Sequence, residues 1–384
     1  MLFLSIYMLV FFIMLYIKYR ERIHEKSKST SWRPLVSVII PAYNEGKYIE
    51  NCIRTVLDSN YDKTKLEIIV VDDGSTDDTY EVSKSIKDSR VKVLKKSNSG
   101  KAASLNFGIK RANGEVIATM DADSFIEKDT IENMLPLFDA DDVAAVTAAV
   151  RVKPSNKWIQ EAQRVEYLAI LFARRLLSFI DAVPVTPGPF SMFRKWTFER
   201  VGGFDEKNIV EDHEIALRIQ SNNYKIRSSI DANVYTETPL TIKDLLIQRV
   251  RWQRGGLHNT IAYRYLIHPR YGDFGLFVVP LVLLSFVMLF MLLAFTYDSF
   301  INPPAFAFRL GLDSALLSIS PVYVLGLVIM GISFVWSFAA VKAFKNEPVN
   351  TFAIFLFIVF YGYLSVAYNL LTIFKELRQE RFSW

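Results

Sequence analysis

The chain has 384 residues, with 45 Lys and Arg against 40 Asp and Glu, a net charge of +5. So mild an excess gives no electrostatic case for nucleic acid as a partner. The single cysteine, Cys52, excludes an intramolecular disulfide and a cysteine-based zinc site. Charge is unevenly spread: 74 of the 85 charged residues fall in 18–273, 11 in 274–384 and none in 1–17. That division predicts a water-soluble middle flanked by membrane segments, and excludes a wholly soluble or wholly disordered chain.

Residues 1–17 are uncharged and mostly apolar, without the positive n-region of a cleaved signal peptide, so they read as a transmembrane signal anchor. Lys18, Arg20, Arg22, Lys26, Lys28 and Arg33 then make 18–34 a basic linker. By the positive-inside rule the domain that follows is cytoplasmic and the chain is an integral membrane protein.

The middle domain is expected over 35–240. Five short apolar runs read as buried strands: 36–40, 67–71, 91–94, 116–120 and 143–150. Helical patterns at 46–59, 77–87, 100–112 and 128–138 separate them. This alternation predicts an α/β fold with a mostly parallel sheet covered on both faces, whose ligands bind beyond the carboxyl ends of the strands.

Those ends carry carboxylates. The first strand runs into Pro41-Ala42-Tyr43-Asn44-Glu45, the second into Asp72-Asp73-Gly74-Ser75, and the fourth into Asp121-Ala122-Asp123. Like charges gathered at one edge call for a cation, and all-oxygen ligands suit Mg²⁺ or Mn²⁺, which bridge to phosphate oxygens. Taken singly, Asp72–Ser75 also reads as a capping turn. Glu211-Asp212-His213-Glu214 opens an amphipathic pattern and also fits an acid-rich first helical turn. Residues 156–182 read as a core helix or as a helix docked on the bilayer. The region 241–273, with Gln248-Arg249-Val250-Arg251-Trp252, reads as interfacial. Three further uncharged runs predict spans at about 274–297, 315–341 and 350–374, followed by a short tail.

The motifs PAYNE, VVDDGS, SGKAASLNFGIKRANGE, MDAD, TPGPFSMFR, GGFDEKNIVEDHE and QRVRW stand in an order that resembles the membrane-embedded branch of the family-two glycosyltransferases, the poly-N-acetylglucosamine, hyaluronan, chitin and cellulose synthases. The RVRWQRGG stretch is most similar to the poly-N-acetylglucosamine type. The resemblance implies a GT-A fold and inverting transfer from a nucleotide-diphospho-sugar, a UDP-N-acetylhexosamine or a related donor, with Mg²⁺ or Mn²⁺. It places Tyr43, Glu45, Asp72 and Asp73 at the nucleoside, and Lys101 and Asp121 at the diphosphate. It makes Asp123 the metal ligand and Asp212 the general base. Gln248, Arg251 and Trp252 would close the diphosphate and acceptor site, and Gly188, Phe190 and Ser191 would lie near the acceptor sugar. The acceptor so implied is a growing β-linked polysaccharide. Single-sugar transfer to a membrane lipid, in the manner of ceramide glucosyltransferases or polyprenyl-phosphate enzymes, is the alternative, and a catalytically dead scaffold is a third reading.

Overall fold

A computed structural model describes residues 2–23, 25, 30–155, 157–284, 287, 294, 297, 301, 308–309, 318–319, 321–344, 349 and 351–380. Helix α1 (Leu2–Tyr19) leads into strand β1 (Val36–Ala42), every residue of which is buried. Then follow α2 (Gly46–Leu57), β2 (Leu66–Asp72), α3 (Thr79–Ser85), β3 (Val91–Lys95), α4 (Lys101–Ile109), β4 (Val116–Thr119), β5 (Ser124–Ile126) and α5 (Thr130–Met134). Next come β6 (Val143–Val152), α6 (Trp158–Ser178), β7 (Ser191–Arg194), α7 (Lys195–Val201), α8 (Glu211–Ser221), β8 (Lys225–Thr236) and α9 (Ile242–Ala262). Two long apolar helices, α10 (Pro321–Ala343) and α11 (Thr351–Leu377), close the order.

These eight strands form one sheet in the order β3-β2-β1-β4-β7-β6-β8-β5, and Phe308–Arg309 pairs antiparallel with Ser318–Ile319 as a separate two-stranded sheet. β3, β2, β1 and β4 are mutually parallel, as is the pair β6 and β8. The antiparallel strands are β7, wedged between β4 and β6, and β5 at the edge. The mostly parallel α/β sheet is therefore as expected, and all five predicted strands are present. β5, β7 and β8 went unread. β5 has three residues and β7 four, too short for a periodic signal. β8 mixes buried and exposed residues with Arg227, Asp231 and Asn233 in its length.

Helices cover both faces. α2 buries Ile49, Cys52, Ile53 and Val56, the i, i+3, i+4, i+7 stripe of an amphipathic helix, into a core with β1, β2 and β4. On the other face Ala102 and Leu105 of α4 and Ile215, Ala216 and Ile219 of α8 pack on Ile39, Ile69 and Ile117. α6 is a core helix, the first of the two sequence readings. It packs against β6 and β8 on one side and against α10 and α11 on the other. α9 in turn packs along α11.

Of the predicted spans, 2–17 falls within α1 and 351–374 falls on α11, and residues 1 and 350 lie outside the described residues. The 274–297 segment starts as a π-helical turn, Phe274–Val278, and is helical to Leu284; most of its remainder lies outside the described residues. Of 315–341, the part from Pro321 is α10, and 315–317 and 320 lie outside the described residues. Among the described residues one helix, Thr351–Leu377, is long and apolar enough to cross a membrane.

Candidate active site

The ends of β1 and β2 are laced together by side chains. Asn44 Oδ1 accepts from Thr76 N at 2.8 Å, Asn44 N donates to Ser75 Oγ at 3.0 Å, and Glu45 N donates to Thr79 Oγ1 at 2.8 Å. This holds Tyr43, Glu45, Asp72 and Asp73 on one edge. Asp73 is used structurally: Lys96 Nζ, Ser99 N and Gly100 N all donate to its carboxylate. It thereby fixes the loop that delivers Lys101 to the start of α4. Asp72 is fully buried, and its Oδ2 has no hydrogen-bond partner, with Lys95 Nζ 3.9 Å away. Tyr43 is exposed beside them.

A cavity of about 460 Å³ opens at the carboxyl edge of the sheet. Lys101, Asp121, Asp123, Gly188, Asp212, Gln248, Arg251 and Trp252 all line it, so eight of the fourteen residues singled out from the sequence share one cavity. Tyr43, Glu45, Asp72, Asp73, Phe190 and Ser191 are not in that lining. Phe190 and Ser191 are completely buried, and the Ser191 hydroxyl donates to Pro187 O at 2.8 Å. They support the loop that carries Gly188 and do not face the cavity.

Lys101 is the electrostatic centre. Its Nζ lies 2.6 Å from Asp121 Oδ1 and 2.9 Å from Glu211 Oε1. Burial works against the Lys101 charge, but Asp121, Glu211 and Asp212 outweigh it and raise the pKa. Glu211, not picked from the sequence as a site residue, is 4% exposed. Burial pushes its pKa up and Lys101 pulls it back. The acid-rich VEDHE run was its only trace in the sequence.

Asp212 is the second residue of α8. Burial raises its pKa above the usual carboxylate range, against the attraction of Lys101. Its Oδ1 accepts from His213 N at 2.8 Å, and its carbonyl accepts from Thr186 N and Oγ1 at 3.1 and 2.9 Å. The 186–188 loop is thus tied to the residue it faces, and Gly188 O accepts from Asp121 N at 3.1 Å on its other side. A Cβ on Gly188 would stand 2.6 Å from both Asp121 Oδ2 and Lys101 Nζ, so any larger residue displaces one of these side chains.

At the other end of the cavity the carboxylates crowd one another. Burial and then Asp121 push Asp123 up to about 6. Burial and then Asp123, Asp121 and Asp77 push Glu45 up to about 7. Such mutual strain is what a divalent cation relieves, and oxygen donors suit a hard one. Among the described residues no three His, Cys, Asp or Glu side chains converge as a cage.

α9 supplies the remaining wall. Arg249 forms a short ion pair with Glu166 of α6 and lies 4.2 Å from the centroid of the Trp252 ring. Arg254 Nε pairs with Glu376 of α11 at 2.5 Å. Gly255 allows α9 to close on Val210, whose Cγ2 would stand 2.2 Å from an added Cβ. The neighbouring Arg251 is exposed and turned to the cavity. α6 contributes Tyr167, Ile170 and Arg174. Arg174 is 4% exposed, and burial lowers its pKa to about 10.

Comparison with known proteins agrees with this arrangement. Residues 37–202 match the family described as Glycosyl transferase family 2. The poly-beta-1,6-N-acetyl-D-glucosamine synthase of Staphylococcus aureus (strain COL) is 30% identical over 248 residues, 64% of this chain and 60% of the relative. The synthase of the same name from Staphylococcus epidermidis is 32% identical over 225 residues, 58% and 54% of the two chains. The chain thus spans about 60% of the length of the first of these curated relatives. The mannosyltransferase PcManGT from Pyrobaculum calidifontis, solved with GDP-Man and Mn²⁺, shares the fold across 99% of both chains, with a TM-score of 0.60 and 19% identity. With its sheet order and strand-end carboxylates, the segment 37–202 is thus similar to glycosyl transferase family 2, whose model it matches.

Proposed function

We propose that the protein transfers a sugar from a nucleotide-diphospho-sugar, with inversion, to a hydroxyl acceptor presented at a membrane surface. One observation carries this reading: Lys101 joins a strand-end carboxylate, Asp121, to the acidic turn of Asp212 across a single cavity. In it, Asp212 accepts the proton of the attacking hydroxyl, and its raised pKa brings it closer to the optimum for a base. Lys101 and Arg251 offer cationic donors to the leaving diphosphate, the planar guanidinium of Arg251 in a two-pronged fashion. Trp252, its ring carrying Arg249, offers an apolar surface to a sugar ring.

Asp123, with Asp121 and Glu45 nearby, is the place for Mg²⁺ or Mn²⁺, which would supply charge neutralisation at the diphosphate. The mannosyltransferase with Mn²⁺ supports that cofactor, and the two staphylococcal synthases support an N-acetylglucosamine donor and a β-linked polysaccharide product. Membrane attachment through α1 and the apolar helices α10 and α11 is supported by their composition, with the catalytic domain on the cytoplasmic side.

The test uses full-chain protein in lipid nanodiscs with Mn²⁺ and a panel of radiolabelled UDP- and GDP-sugars. Metal-dependent release of the nucleoside diphosphate together with sugar incorporation is expected. No turnover of any donor would sink the reading, and product size separates a polymer from a single transfer.

A further inference from the structure

Arg174 stands apart from the other buried arginines. Arg175 donates to Ser228 O and Arg22 O, Arg249 pairs with Glu166, and Arg254 pairs with Glu376. Arg174 is as buried as these and forms no hydrogen bond or ion pair with any described residue, and its Nε is fully enclosed without an acceptor. A guanidinium has five donors and cannot discard its proton, so a buried one without an acceptor is expensive unless a ligand completes it.

Its position says which ligand. Tyr167, Ile170 and Arg174 fall at i, i+3 and i+7 on α6, one face of the helix, and all three line the cavity. Seven residues of helix separate Tyr167 from Arg174 by about 10 Å. Asp212 lines the same cavity and is the acidic group whose charge acts on Arg174. Arg174 therefore shares the cavity with the proposed base. Ile170, one turn before it, is 43% exposed, and Val150 and Val185 share the wall.

We propose that Arg174 binds the acceptor, and that the acceptor is anionic: a hydroxyl compound with a phosphate or carboxylate group close to the hydroxyl that reacts. This rests on the glycosyl-transfer reading above, and departs from the neutral N-acetylglucosamine polymer that the names of the staphylococcal synthases would suggest as acceptor. In the step, the acceptor oxygen bonds to the anomeric carbon and its proton passes to Asp212. The bond from that carbon to the diphosphate breaks, and the departing nucleoside diphosphate keeps the electron pair. Arg174 holds the acceptor's fixed negative charge while this happens, and it keeps that charge from approaching Asp212 unscreened.

The experiment uses full-chain protein in phosphatidylcholine nanodiscs, the panel of radiolabelled nucleotide sugars with Mn²⁺, and three acceptors. These are phosphatidylglycerol in the disc, soluble glycerol 1-phosphate, and a neutral N-acetylglucosamine tetrasaccharide. The wild type should prefer an anionic acceptor. Arg174→Gln should raise the KM for that acceptor at least about tenfold, the loss of a charge-assisted hydrogen bond. The donor KM and metal-dependent UDP binding should stay as they were, and Arg174→Lys should restore part of the loss. Transfer to phosphatidylglycerol alone identifies a lipid headgroup, and equal transfer to glycerol 1-phosphate a free anion.

The proposal is overturned if the neutral tetrasaccharide is the better acceptor. It is also overturned if Arg174→Gln lowers kcat alike for every acceptor with a displaced pH profile, because the arginine would then be only a counter-charge to Asp212. If the wild type turns over no donor, the transfer reading fails by itself. Thermal stabilisation by glycerol 1-phosphate then decides the anion site: stabilisation of the wild type that Arg174→Gln abolishes upholds it, and none in the wild type overturns it.

Discussion

Lys101 Nζ stands 2.6 Å from Asp121 Oδ1, and through this contact the start of α4 is locked to the end of β4. The same ammonium holds Glu211, so one cation organises two acidic segments 90 residues apart in sequence. Lys101→Met should leave Glu211 buried without a counter-charge. A stability loss of about 3 kcal/mol is expected from breaking such a pair, with transfer abolished. Chemical denaturation and a transfer assay check both parts. Wild-type stability in the variant would show that the pair does not organise the site.

Asp212→Asn removes the proposed base and keeps the shape of the turn. Transfer should fall by about 10²–10⁴-fold, while metal-dependent nucleotide binding, followed by calorimetry, stays near normal. A variant that keeps near-normal turnover would remove Asp212 from the chemistry.

The pH dependence has a definite sign. Burial raises the Asp212 pKa, and a base works only when deprotonated. Activity should therefore rise with pH along an acid limb centred above the ordinary carboxylate value, and kcat against pH measures it. An acid limb at or below the ordinary carboxylate value would contradict the buried base.

His213 reports on the fold instead. Burial lowers its pKa to about 4, and Asn259 Nδ2 lies 3.4 Å from its Nδ1. A folded pKa below the unfolded one means that this group's contribution is full above about 6.5 and is lost as pH falls toward 4. Stability should decline over that window with a slope of up to about one proton. Denaturation midpoints of His213→Gln, measured at pH 7 and pH 5, should show a smaller decline than those of the wild type.

Gly188→Ala is the most economical test of the site's tightness. The added methyl would meet Asp121 and Lys101 at 2.6 Å, so one of them has to move. The domain should remain folded, with transfer reduced at least about tenfold and weakened metal-dependent UDP binding. Unchanged kinetics would mean that the loop yields freely.

Much of this site could be read in the amino-acid order because its parts sit at strand ends. Apolar β-branched runs announce the strands, and the carboxylates of Asp72, Asp121 and Asp123 follow them directly. Glu211 and Arg174 were harder to see for a physical reason. Their roles depend on what lies across the cavity, and a charged residue on a helix looks the same in sequence whether it meets water, a partner or a vacancy. Phe190 and Ser191 show the converse. They stand in the right motif, but the packing of the core at and before β7 encloses them, whereas Pro187, Gly188 and Pro189 line the cavity.

The contact between Arg254 and Glu376 has a mechanical consequence. α9 carries Gln248, Arg251 and Trp252 into the cavity and is clamped to α6 at Glu166 and to α11 at Glu376. α9 also packs along α11. The helix that presents Trp252 to the cavity therefore takes its support from the last apolar helix and not from the sheet alone, so loss of the Glu376 carboxylate is felt at a cavity wall it does not itself line.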